Sequence, residues 1–105
     1  MDKLLEVLKA VGIPFAYDHF AEGESPEPPF ICYLLPDSDN FSADGRVYYK
    51  VNEIHIELYT DTKDLSVERQ LEAVLDEHGI FYDRSEVWIE SEKLYEVLYS
   101  FEMEA

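Results

Sequence analysis

A chain of 105 residues suits one domain with a single core. Its 24 acids face eight bases, a formal net charge of −16, and the bases are scattered without forming a block. That balance argues against specific nucleic-acid binding, which needs Lys and Arg to displace phosphate counterions, and against an anionic membrane surface.

Leu4, Leu5, Leu8 and Val11 recur at helical spacing between Asp2 and Gly12, with Pro14 beyond, and predict a helix over residues 2–11. Residues 15–20 are aromatic and short, and predict a strand. The stretch AEGESPEPP, residues 21–29, holds three prolines and three glutamates. It reads as a flexible Pro/Glu-rich loop, because proline breaks a sheet ladder. FICYLL, residues 30–35, predicts a central strand closed by Pro36. DSDN and SADG predict a turn-rich connection around Phe41.

Residues 46–59 predict one long strand. DLSVERQLEAVLDEHG is the clearest helix, with Val67, Leu71, Val74, Leu75 and His78 on one face. Asp64 or Ser66 can cap its start, and Gly79 sits at its stop. Residues 80–89 predict a strand interrupted near residues 83–86. Residues 94–103 predict the last strand, with Tyr95, Val97, Tyr99, Phe101 and Met103 on one face. The expected fold is α+β: a mainly antiparallel sheet with two amphipathic helices packed on one face. Residues 1–105 are expected to form a single domain, with the loop at 21–29 its flexible element.

The long strand changes phase. Val47, Tyr49 and Val51 are apolar at odd positions, whereas Ile54, Ile56 and Leu58 are apolar at even ones. Successive strand side chains point to opposite faces. Either a β-bulge at Asn52 and Glu53 resets the phase, or the first half of the strand serves a neighbouring subunit. Eight tyrosines and one tryptophan favour the second reading, since Tyr and Trp are enriched at interfaces. The candidate interface residues are Val47, Tyr49, Val51, Pro26, Pro28 and Trp88.

Signals of catalysis are weak, and the chain does not read as an enzyme. Glu53, His55 and Glu57 share a strand face and could gather a metal, but a polar strand face opposite Ile54, Ile56 and Leu58 explains them better. The stretch DSDNFSADG misses the calcium-loop pattern, with Phe41 where an oxygen ligand belongs. No catalytic, cofactor-binding or metal residue is assigned, and no cofactor is expected. Cys32 lies inside an apolar run as an inert core residue, and a lone cysteine points to a reducing compartment. No apolar run approaches the ~20 residues that span a bilayer, and MDKLLEVLKAVG lacks the form of a secretory leader.

The segments Y-x-H-F-A-E-G-x-S-P (from Tyr17) and E-L-Y-T-D-x-K-D (from Glu57) carry a resemblance that extends over nearly the whole chain. With the helix VERQLEAVLDEHGI and the tail SEKLYEVLYSFEME, the sequence resembles the tail completion or tail terminator proteins of long-tailed (siphovirus-type) phages and prophages. The resemblance implies a homo-oligomeric ring, commonly hexameric, at the head–tail junction. Such a ring caps the tail tube and receives the filled head, so its partners are the tail tube protein and head connector proteins. It implies a place in the virion tail or neck, and in host cytoplasm during assembly. DNA would pass through the ring without binding, and the acidity suits that passage. Another head–tail connector component and an acidic DNA-mimic inhibitor are the alternatives. Acids beside bases, as in Asp83–Arg84 and Glu92–Lys93, weaken the mimic.

Overall fold

The computed structural model describes residues 2–43 and 46–104, with side chains in all of these except residues 2 and 37–50. Its order is α1 (Asp2–Val11), β1 (Phe15–Tyr17), β2 (Phe30–Ala43), β3 (Arg46–Thr60), α2 (Leu65–Glu77), β4 (Asp83–Ile89) and β5 (Leu94–Glu104). The strands form one sheet ordered β1-β2-β3-β5-β4. β1 runs parallel to β2, and the other neighbours are antiparallel. The α+β class with a mainly antiparallel sheet is therefore as the sequence predicts.

Both helices form for the reasons their sequences carry. Leu4, Val7, Leu8 and Val11 of α1 are buried, and Gly12 ends the helix at φ +80, a conformation favoured by glycine. Asp64 caps α2, its carboxylate accepting from the Ser66 and Val67 amides. Gln70 of α2 donates to the last-turn carbonyl of Val11 at 2.5 Å, tying the two helices together.

The core lies between the helices and one sheet face. Ile54, Ile56 and Leu58 of β3 meet Val97, Tyr99 and Phe101 of β5 there, with Leu71 and Leu75 of α2 above them. Burying such side chains is worth roughly 2 kcal/mol each. Tyr99 is fully buried, yet its hydroxyl donates to Glu72 at 2.7 Å, so its polar end is satisfied.

Two expectations need correction, and one of two open alternatives is removed. β2 does not stop at Pro36; its backbone runs on to Ala43, so DSDN and Phe41 pair with β3 rather than forming a turn. The strand tolerates Pro36 because the β2–β3 register slips by one between Leu34 and Asp37. A proline has no N–H for the ladder, and a bulge is where a strand can do without one. Next, Val51–Thr60 pairs with β5 without a break, so no bulge interrupts that ladder at Asn52 and Glu53. Lastly, Ile80–Tyr82 are not strand, and β4 begins at Asp83 where an interruption was expected.

These corrections define a projecting element. β5 ends at Glu104, opposite Val51, and β1 reaches only Tyr33 of β2. Beyond those points residues 37–43 and 46–50 pair only with each other among the described residues. The result is a two-stranded ribbon extending from a five-stranded body. The radius of gyration is 15.0 Å, with extents of 50 × 29 × 22 Å. A compact chain of this length would have a radius near ~13 Å.

Candidate assembly interface

The strongest features outside the core are unpaired strand edges and the apolar side chains beside them. β4 is an edge strand, and it is exposed along nearly its whole length. Val87 and Trp88 are exposed on it. The Trp88 ring leans on Tyr95, centroids 4.7 Å apart, and its indole N–H donates to Glu90 at 2.6 Å, leaving 40% of the residue exposed. Phe81 precedes the strand and is 98% exposed. Ile80 and Tyr82 on either side of it pack against the core. Phe81 thus stands on the surface between two anchors.

An ion-pair cluster holds β4 under α2. Glu68 is buried, and its carboxylate accepts from Lys63 Nζ at 2.6 Å and from Arg84. Arg84 also reaches Glu86 at 3.2 Å and Glu72 at 3.9 Å. The bond to Glu68 raises the affinity of the Arg84 guanidinium for its proton, and the same carboxylate does so for Lys63. Lys63 in turn holds the Glu86 carboxyl below its ordinary range. The cluster satisfies a buried charge while fixing an edge strand whose own side chains give little burial.

β5 outruns β4. Asp83 pairs with Ser100, and on the β4 side nothing among the described residues pairs with residues 101–104. That notch opens into a cleft of about 780 Å³ lined by Lys3, Ile80, Phe81, Asp83, Met103 and Glu104 among others. Three carboxylates, those of Asp83, Glu102 and Glu104, line the cleft, with Lys3 its base.

The sheet face away from the helices is mixed. Phe30 stacks on Tyr59 at 5.1 Å and meets Phe20 edge-on at 5.5 Å, which seats the start of the 18–29 segment on the sheet. His55 Nε2 lies 3.1 Å from Glu53, while Glu57 turns instead to the Tyr59 hydroxyl at 3.0 Å. Glu53, His55 and Glu57 are therefore not gathered, and no group of three metal-binding side chains occurs among the described residues. Burial, and then the Glu57 carboxylate, push the Cys32 thiol up to about 11, so it is protonated at neutral pH.

The sequence-derived interface residues are placed apart. Val47 and Tyr49 lie on the ribbon backbone, and their side chains are outside the described residues. Val51, at the ribbon base, is 8% exposed and buried apart from the main core cluster. Pro26 and Pro28 are half-buried in the loop, and Trp88 is on the β4 edge. Sequence reasoning missed Phe81. Its signal was the triplet Ile80-Phe81-Tyr82 directly after the helix-stopping Gly79: the outer two pack against the core and Phe81 between them is left exposed.

Comparison with known proteins gives a fold likeness. No family model matches the chain, and no curated protein matches it. A chain in a solved structure described as the virion of a native gene transfer agent (GTA) particle superposes with a TM-score of 0.62 at 14% identity. The match covers 93% of this chain and 82% of that one. At that identity, what the two share is a fold.

Proposed function

We propose that this chain is a non-enzymatic structural subunit of a phage-type virion. In the finer reading it is a tail terminator or tail completion protein, forming a ring at the head–tail junction that caps the tail tube. The observation that carries the reading is the fold likeness to a virion chain over 93% of this sequence. Unpaired edges support it: a body flanked by an exposed strand, a notch and a two-stranded ribbon offers several places for backbone pairing with other chains. Heterologous contacts of that kind close into rings when the rotation between neighbours permits. The net charge of −16 suits a lumen through which DNA slides without a binding well. The loop at 21–29 serves as a further contact arm in this reading.

The test is electron microscopy of tubes grown from the tail tube protein of the same genome. Labelled chain should sit at tube ends only, and its addition should stop elongation. Tubes that bind no chain at their ends would contradict the reading.

A further inference from the structure

We propose that the ribbon strand of one copy, residues 46–50, docks into the β5 notch of the next copy. This rests on the ring reading above and names its subunit contact. Three observations converge on it. First, the notch is an open sheet edge, since no strand pairs with residues 101–104 on the β4 side among the described residues. An incoming segment of about five residues fits an opening of that length. Second, the cleft around it holds Phe81, which is 98% exposed, together with the half-buried Met103 and the carboxylates of Asp83, Glu102 and Glu104. Third, the stretch RVYYK at residues 46–50 has two bases and no acid, in a chain with three acids for every base.

Along β5, Glu102 and Glu104 alternate with Phe101 and Met103. Within the ribbon the register slips at Tyr48, Tyr49 lying opposite Phe41 and Val47 opposite Ser42, so the match between the two segments is one of charge rather than of period: a segment with two bases and no acid meets an edge carrying Glu102 and Glu104. A chain's own ribbon leaves from β3, and β5 stands between β3 and the notch, so the occupant is a second copy. Donor and acceptor surfaces differ, which makes the contact head-to-tail.

Self-association is measured by sedimentation equilibrium, with circular dichroism as a check on folding. Arg46→Glu/Lys50→Glu should weaken association at least about tenfold, and adding Glu102→Lys/Glu104→Lys should restore it to within about threefold. Phe81→Ser should also weaken it at least about tenfold with the melting temperature unchanged, and this variant carries the test if the charge variants fail to fold. A wild type that neither associates nor caps tubes would overturn the ring reading. A wild type that assembles, with Arg46→Glu/Lys50→Glu and Phe81→Ser assembling equally well, would overturn the docking alone.

Discussion

Glu68 is a buried carboxylate on the inner face of α2, and two cations hold it. Removing Arg84 leaves the buried carboxylate with Lys63 as its one remaining cation, so part of its compensation is lost. Arg84→Met should therefore cost about 1–2 kcal/mol in urea unfolding, less than a fully uncompensated buried charge because Lys63 remains, and no measurable cost would mean the cluster is solvated. Glu57 presents the opposite case. Burial raises its affinity for a proton, and the nearby Glu96 adds to this. The folded chain thus holds that proton more tightly than the unfolded chain does. Its contribution is fully present below the ordinary carboxylate value of 4.5 and is lost as pH rises through the raised value. Glu57→Gln should raise the melting temperature at pH 7, and the gain should vanish in acid. A gain that persists unchanged at low pH would contradict this account of the site.

At the scale of the element, β3 is two structures in one strand. From Val51 onward it lies between β2 and β5, and Ile54, Ile56 and Leu58 are fully buried. Before Val51 it belongs to the ribbon. Ile56→Asp should abolish folding, because it sets a charge against the helices. Replacing residues 37–50 by a short turn should leave a folded monomer and abolish association, as read by circular dichroism and sedimentation. Loss of folding would mean that the ribbon supports the body. The phase change that marks this division was legible in the sequence, as were both helices, their caps and the inward face of β5. The outer half of β2 was not. Pro36 and the run of Asp, Ser and Asn after it carry turn chemistry, and only pairing to β3 with a slipped register overrides it. Phe81 was hidden for a different reason. An exposed phenylalanine looks the same in sequence as a buried one, and its place is set by the anchors Ile80 and Tyr82.

At the scale of the whole molecule, charge and shape act together. A chain with a net charge of −16 should show no shift in fluorescence anisotropy with duplex DNA, even at low salt where counterion release most favours binding. A clear shift would remove the argument that acidity lets DNA pass. The charge also opposes association between copies, so the proposed contact relies on a local exception to it: the two bases of residues 46–50 set against a neighbour's carboxylates. The central claim is that this fold keeps strand edges open for copies of itself. Sedimentation equilibrium of the wild-type chain, from micromolar to millimolar concentration, tests it most directly. The account predicts a single closed oligomer at the upper end, whereas a mass of 12.3 kDa throughout would contradict it.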